Sequence, residues 1–581
     1  MAVVDLSDPF VEFPAGKSMR PFLCGGRAVW YKPLTKSELS GLLPGDILVL
    51  ENGPRRFIHR LVEKPRNGSR EGVIVTKGDP LLAPERVPAR AAVGKVTGAV
   101  WRNEVPISLE KGLMARLHKV YSRWIVRLYV LEKKRGPAGP VFGRRDFRFR
   151  GYLYQYAYFL ALHPLFSAAI RIATTAERLR RKAALREERA SVWSFLRIWA
   201  KGEIGDGDRP TVGQIQAVLN QELAGLTDWR AENRPGWRPL VEQKKRQCLS
   251  AVRALQQFET IALRCLEKGI SVIPLKAASL YHSIYREDPS VRDTGDVDLL
   301  ILPEAEEDFR RCAAELGFRP LKSSRLMPEI LKIAKKFEMI SENSSSFDLD
   351  VKLGPVTKRL IGRFVNLTAE SVFARASAPS GETFPLLLHP VDEWLYLAQH
   401  YVLHHRLSGM KWLVDLDRLA SSLSAENREE LRRRADEAGL KKTAAASVFA
   451  MERILGSAPP EWRSFLSLKL GPFARAWLNL ALEPKNLLNH RFSPRHNNLL
   501  DKIESIHWEL LFIDRRADQR RAFLGNLFPS RRTMDAYWSR RLGWRYFVIY
   551  PFHVFLWLLT GLVFVLDLLA RKAGSVLSRQ P

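Results

Sequence analysis

The chain has 581 residues, more than one hydrophobic core usually serves, so several domains are expected. Hydrophobic residues make up 46% and charged residues 27%, a composition that is ordinary for folded protein and excludes a largely disordered chain. A formal net charge of +30 favours anionic partners such as nucleotides, nucleic acid or acidic lipid, without choosing among them. Four widely spaced cysteines form no metal-site or disulfide pattern, which indicates reducing surroundings.

The first 110 residues predict a β-rich domain. Short apolar runs at 46–50, 57–62 and 72–75 are bounded by Pro, Gly and Asn, as is typical of strands joined by turns. The first residues, MAVVDLSDPF, contain no basic segment followed by an apolar run. We therefore expect no cleavable signal peptide at this end.

Residues 111–204 predict a helical, basic linker. Leu113 to Leu131 has helical character, and a basic helix begins near Arg178. Between them, Tyr152–Ile170 is almost uncharged, but it is at the lower length limit for crossing a bilayer. This segment is a weak candidate for membrane contact.

The best transmembrane candidate is Tyr546–Leu569, near the C-terminal end. It is rich in Phe, Trp, Leu and Val and is flanked by Arg545 and Arg571. The alternative is a buried helix of a large helical domain. The first interpretation predicts a membrane-associated, single-pass protein whose catalytic domains are cytoplasmic.

Three residues of the N-terminal domain have the chemistry of a serine nucleophile unit. A serine hydroxyl becomes a good nucleophile when an imidazole removes its proton and a carboxylate orients that imidazole. Ser18, His59 and Asp79 supply these three types. Taken singly, each has another explanation, as a turn residue, a solvent-facing strand histidine and a turn former.

The segments around these residues resemble the signal peptidase I family, in the branch that uses a histidine base. The matching series is GKSMRP (16–21), PGDILV (44–49), FIHRLV (57–62) and VTKGDP (75–80). The resemblance implies that Ser18 is the nucleophile, His59 the general base and Asp79 its carboxylate partner. The usual second aspartate is missing, with Glu85 the nearest acid, and no membrane segment precedes the serine. An inactive domain that retains a peptide-binding groove is therefore the alternative.

Residues 205–530 predict an α+β domain with a large helical part. Asp296 and Asp298 stand two residues apart, so on a strand they would share one face. Like charges at this spacing are costly unless a cation lies between them, and magnesium prefers such oxygen ligands. A third acid from a neighbouring strand would complete the site, and Asp348 and Asp350 are the two candidates.

This region resembles family 5 of the nucleotidyltransferases. The matching segments are IPLKAASL (273–280), Tyr285, Arg292, DVDLL (296–300) and FDLDV (347–351). The resemblance implies that Asp296, Asp298 and Asp348 bind Mg²⁺ or Mn²⁺, and that Lys276 and Arg292 face a nucleoside triphosphate. Two departures put substrate details in doubt. Ala277 replaces the usual glycine, and Asp350 with Val351 replaces a His-Trp pair.

His400 and His404 have the i, i+4 spacing of zinc ligands, but we find neither the accompanying glutamate nor a third ligand and favour a packed polar cluster. The chain is thus predicted to be multidomain and bifunctional. A serine endopeptidase acting on a peptide or protein would be joined to a nucleotidyltransferase acting on an unknown acceptor. The alternatives are a nucleotidyltransferase with an inactive peptide-binding domain, or a non-enzymatic basic adaptor. No motif indicates nucleic acid as the main partner.

Overall fold

The structure is a computed structural model, and it divides the chain into two compact units, Met1–Arg246 and Gln247–Pro581. The residues it describes are 11–12, 29–52, 55–63, 73–77, 85–100, 106–110, 112–133, 182–201, 210–227, 237–320, 336–341, 347–356, 360–378, 385–466, 470–488, 499–531 and scattered positions from 534 to 562.

The first unit is built on an antiparallel sheet of eight described strands. The strands are β1 (Val11–Glu12), β2 (Val29–Pro33), β3 (Ile47–Asn52), β4 (Arg55–Glu63), β5 (Val73–Lys77), β6 (Glu85–Pro88), β7 (Ala92–Val100) and β8 (Pro106–Ser108). Their order is β1-β2-β7-β3-β4-β5-β6, with β8 also paired to β7. This sheet agrees with the β-rich fold predicted for residues 1–110.

Both faces of the central strand β3 are buried. Side chains alternate along a strand, so Ile47 and Val49 pack in one apolar cluster while Leu48 and Leu50 pack in another. Tyr121, from a helix, fills the first cluster. The described helices of this unit are α1 (Lys36–Gly41), α2 (Gly112–Lys133), α3 (Lys182–Lys201) and α4 (Val212–Asn220). Helix α5 (Arg238–Glu267) crosses the boundary between the units.

The second unit contains a mixed sheet of five described strands. They are β9 (Val272–Leu275), β10 (Val297–Ile301), β11 (Phe318–Pro320), β12 (Lys336–Ser341) and β13 (Leu349–Lys352). Their order is β11-β12-β13-β10-β9. The pair β10 and β13 is parallel, whereas the other pairs are antiparallel. All five residues of β10 are buried, as expected for a central strand covered on both faces.

Helices make up most of the remainder of the second unit, as predicted for its helical part. The described helices are α6 (Ala277–His282), α7 (Glu306–Glu315), α8 (Ala369–Phe373), α9 (Pro390–Gln399), α10 (Met410–Ser422), α11 (Ala425–Glu437), α12 (Lys441–Ile454), α13 (Arg463–Leu466), α14 (Pro472–Ala481), α15 (Pro484–Leu488), α16 (Leu499–Leu511) and α17 (Arg516–Leu527). A π-helical turn, His400–His404, continues α9.

The C-terminal apolar segment is described only in part, and its described residues pack against α16 and α17. Trp557 is 1% exposed and packs against Leu527. His507 Nε2 lies 3.3 Å from the carbonyl oxygen of Trp557. Within the described part of the chain, we find no helix with the length and apolar composition needed to cross a bilayer. The predicted C-terminal span is therefore not supported, and Tyr152–Ile170 lies outside the described residues.

Candidate active site

Strand register brings the acidic residues of the second unit together. Asp298 on β10 is paired with Asp350 on the parallel strand β13, so both side chains lie on one face of the sheet. Asp296 immediately precedes β10 and is two residues from Asp298. One carboxylate oxygen from each of these three residues lies within 4.8 Å of the others. The structure therefore assembles a three-carboxylate cluster at the point where two adjacent strands begin.

The third member of this cluster differs from the residue that the family resemblance implied. Asp348 is exposed and lies before β13, where its Oδ1 accepts a hydrogen bond of 3.2 Å from the Ser341 backbone N–H. Asp350, two residues later, is the residue in register with Asp298. The register of the parallel pair therefore favours Asp350 as the third acid of the cluster, and the role of Asp348 that the resemblance implied stays a prediction.

Two lysines neutralise the cluster. Lys276 Nζ lies 2.8 Å from Asp298 Oδ1. Lys352 Nζ lies 2.6 Å from the same oxygen and 3.0 Å from Asp350 Oδ2. Lys352 was missed in the sequence analysis, although a signal for it exists. It is two residues beyond Asp350 on the same strand, so the two side chains share a face.

Burial and these lysines set the charge of the cluster. Burial by itself raises the pKa of Asp298, but the ammonium groups of Lys276 and Lys352 lower that pKa to about 2. The pKa of Asp296 is raised, because nearby protein atoms displace part of its water and because Asp298 is charged. Burial would lower the pKa of Lys352, yet the neighbouring aspartates hold it well above its usual value. The buried Asp298 is thus ionised, and Asp296 takes up a proton more readily than Asp298 does.

Lys276 lies at a sharp turn between β9 and α6. Its φ is +53°, a value that L-residues other than Asn and Asp seldom adopt. The Lys276 carbonyl accepts a hydrogen bond of 2.9 Å from the Leu280 N–H, and Ala277, which replaces the glycine of the family pattern, is buried. The turn therefore holds the lysine toward the acids at a cost in backbone strain.

Arg292, which the resemblance assigns to the triphosphate, is buried in an ion pair. It is 3% exposed, and its Nε donates to Asp415 Oδ2 over 2.7 Å. Tyr285 donates to the other oxygen of Asp415 over 2.8 Å, and the Arg292 guanidinium lies 4.4 Å from the ring centre of Trp412. Arg292 thus forms a buried ion pair with Asp415 of α10, and its contact with a triphosphate stays a prediction.

The histidines beyond α9 form a packed aromatic cluster. The rings of His400 and His404 are stacked with centres 4.9 Å apart, and His400 Nε2 lies 3.0 Å from His405 Nε2. Among the described residues, the three aspartates are the group whose donor atoms lie close enough together to hold a metal. This arrangement agrees with the packed polar cluster favoured in the sequence analysis.

The aspartate cluster fits a hard divalent cation. Its donors are carboxylate oxygens, which Mg²⁺ and Mn²⁺ prefer. Asp350 Oδ1 is buried, and it accepts no hydrogen bond from the residues that the structure describes. The hydroxyl of Tyr396, fully buried on α9, likewise has no hydrogen-bond partner among them. Because Asp350 Oδ1 accepts no hydrogen bond from the described residues, it is available to a cation. The residues present therefore suit the metal that the resemblance implied.

A glutamate on α9 adds a further titratable group to this unit. Glu393 is 4% exposed and accepts a hydrogen bond from the Ser279 hydroxyl on α6. Burial raises the pKa of Glu393 to about 7, since the charged carboxylate loses its water there. The contact between α6 and α9 therefore includes an acid that gains or loses its proton near neutral pH.

Of the predicted peptidase residues, His59 is described, whereas Ser18 and Asp79 lie outside the described residues. His59 is on β4, paired with Leu48 of β3, and is 5% exposed. Burial lowers the pKa of His59 to about 4, so its imidazole is neutral at neutral pH. A general base works best when its pKa lies near the working pH, so this shift weakens His59 as a proton acceptor.

The central site is matched by one protein family. Residues 227–456 match the family described as uncharacterised nucleotidyltransferase. The matched residues include the three clustered aspartates, both lysines and the Arg292–Asp415 pair. The match does not extend to residues 1–110, so the signal peptidase resemblance stays a prediction. Searches of curated proteins and of solved structures found no match.

Proposed function

We propose that the region around residues 227–456 catalyses metal-dependent transfer of a nucleotidyl group from a nucleoside triphosphate to an acceptor of unknown identity. One observation carries the proposal. Asp296, Asp298 and Asp350 converge from adjacent strands, with Lys276 within 2.8 Å of Asp298. The nucleotidyltransferase match to the same residues supports it.

The reaction joins an acceptor nucleophile to the α-phosphorus and breaks the bond to the β-phosphate, so pyrophosphate leaves. A bound Mg²⁺ or Mn²⁺ would offset phosphate charge and orient the reacting oxygens. The three aspartates would hold that cation, and Lys276 would pair with a phosphate oxygen instead of with Asp298. The strained turn at Lys276 supports this role, because it holds the ammonium group at the acidic cluster before substrate binds.

Calorimetry tests the proposal directly. Binding of ATP, GTP, CTP and UTP is measured with and without Mg²⁺ or Mn²⁺, in wild type and in the double variant Asp296→Asn/Asp298→Asn. We expect triphosphate binding that requires metal and is lost in the double variant, while the fold is retained. Asp348→Asn is the matched control and should bind normally. Equal, metal-independent affinity in wild type and the double variant excludes the proposal.

For residues 1–110, we retain the prediction of a serine endopeptidase that acts on a peptide or protein. The matching segments support this prediction, whereas the pKa of His59, lowered by burial to about 4, makes its imidazole a weak general base. The alternative is an inactive domain that binds a peptide for the nucleotidyltransferase. Substitution of Ser18 distinguishes cleavage from binding.

A further inference from the structure

Lys352 lies where a cation would be expected. Its Nζ is 2.6 Å from Asp298 Oδ1 and 3.0 Å from Asp350 Oδ2, and its side chain is 5% exposed. It therefore bridges two of the three clustered carboxylates. Lys276, by comparison, contacts Asp298 at 2.8 Å, and its side chain is 13% exposed.

A buried pair of carboxylates needs a compensating charge. Two ionised acids side by side repel, and each also loses the water that stabilised it. An ammonium group between them removes most of that cost and satisfies oxygens that would otherwise lack partners. The strand fixes this lysine in place, since it follows Asp350 by two residues on the same face of β13.

We propose that Lys352 is a built-in counter-ion that neutralises the acidic cluster in the metal-free protein. When a divalent cation binds, the ammonium group of Lys352 releases the carboxylate oxygens of Asp298 and Asp350. This inference rests on the proposed function in that the cation is taken to arrive with a triphosphate. The released ammonium group then has the phosphates as a new partner. Metal alone must displace a paired lysine, so it binds more weakly than metal with triphosphate.

The test is a Mn²⁺ titration of the full-length protein without nucleotide, with free Mn²⁺ followed by electron paramagnetic resonance. Lys352→Met keeps the length of the side chain and removes the charge. We expect Lys352→Met to bind Mn²⁺ about tenfold more tightly than wild type, or more. Equal or weaker Mn²⁺ binding by Lys352→Met overturns the proposal.

Lys336→Met is the matched control. Lys336 is in register with Lys352 on β12, and its Nζ lies 3.6 Å from Asp350 Oδ1 and 2.8 Å from Glu338. It also contributes positive charge near the cluster, but it does not bridge Asp298 and Asp350. Its removal should change Mn²⁺ affinity by no more than a few fold. A change as large as that of Lys352→Met indicates a general charge effect and overturns the counter-ion role.

Loss of Lys352 also removes the cation that bridges Asp298 and Asp350, so Lys352→Met should be less stable when metal is absent. Mn²⁺ should then raise its midpoint of thermal unfolding more than it raises that of wild type. Lys352→Arg keeps the charge and should retain the weak Mn²⁺ binding of wild type. A Lys352→Met protein that Mn²⁺ does not stabilise at any concentration contradicts the proposal.

These measurements separate this inference from the proposed function. If Lys352→Met binds Mn²⁺ more tightly but no triphosphate binds to wild type, the counter-ion role stands and nucleotidyl transfer fails. If triphosphate binds with metal while Lys352→Met has unchanged Mn²⁺ affinity, the transferase proposal stands and the counter-ion role fails.

Discussion

The central acidic site and the N-terminal triad were both predicted from short sequence motifs, but the structure describes all the residues of the first and only part of the second. The acids of the central site are on or beside two hydrogen-bonded strands, and their register brings Asp298 opposite Asp350. Of the triad, His59 is on a described strand, and the other two members lie outside the described residues. Geometry therefore tests one site and leaves the other to experiment.

The comparison shows when a sequence motif alone determines which side chains lie close together. An i, i+2 pair on a strand determines which side chains share a face before any tertiary contact is known. A triad drawn from positions 18, 59 and 79 depends on how separate segments approach one another, and local sequence does not encode that approach. The two sites should therefore also be separable by mutation.

The largest expected effect is on the triad. Ser18→Ala and His59→Ala should each reduce peptide cleavage by about a million-fold, because nucleophile and base act as a unit. Both variants should leave nucleotidyl transfer unchanged, and Asp298→Asn should do the reverse. Cleavage is measured with fluorogenic peptides and transfer with labelled triphosphate. Wild-type cleavage by Ser18→Ala would leave the domain as a peptide-binding module or a different enzyme.

A smaller but sharper effect distinguishes the two acids of the segment FDLDV. Asp350→Asn should slow nucleotidyl transfer on the order of 1,000-fold, since a metal ligand contributes several kcal/mol to stabilising the transition state. Asp348→Asn should change the rate by no more than a few fold, because that side chain is exposed and hydrogen-bonded to Ser341. Single-turnover rates decide it. The opposite ranking would restore Asp348 as the third ligand.

Much of the fold was predictable, and the exceptions have physical causes. The apolar runs at 46–50 and 57–62 correspond to β3 and β4, because short apolar segments bounded by turn residues have few other solutions. The sequence offered both Asp348 and Asp350 as the third carboxylate and did not indicate Lys352, because the parallel register of β10 with β13 depends on tertiary structure. The ion pair of Arg292 was not predicted because its partner, Asp415, is 123 residues away in the chain.

The Arg292–Asp415 pair provides the third prediction, which concerns stability. Arg292→Met should lower the free energy of unfolding by about 3–5 kcal/mol, because it leaves the buried Asp415 carboxylate without its cation. The exposed pair of Arg311 with Asp308 is the matched control, and Arg311→Met should cost no more than about 1 kcal/mol. Denaturant titrations measure both.

Arg292→Met should also bind triphosphate normally in whatever fraction remains folded. A variant as stable as wild type that fails to bind triphosphate would reinstate Arg292 as a phosphate ligand. This outcome would mean that the resemblance gave the role of this residue better than its contacts do.

Glu393 gives the smallest effect, a pH dependence confined to the second unit. Its pKa is raised from 4.5 to about 7 in the folded protein, so between these values the folded state binds a proton that the unfolded state has lost. The associated stability is therefore complete below pH 4.5 and is lost as pH rises through about 7. The full shift corresponds to roughly 3 kcal/mol.

Glu393→Gln keeps the shape of this side chain and cannot ionise, so it should remove this part of the pH dependence. The midpoint of thermal unfolding of wild type should fall between pH 5 and pH 8 relative to that of Glu393→Gln. Glu430→Gln is a suitable control, because the pKa of Glu430 is lowered, by ion pairing with Arg375, and its contribution has the opposite sign. Parallel pH profiles for wild type and Glu393→Gln would show that Glu393 stays ionised, and that the Ser279 hydroxyl stabilises its charge more than burial opposes it.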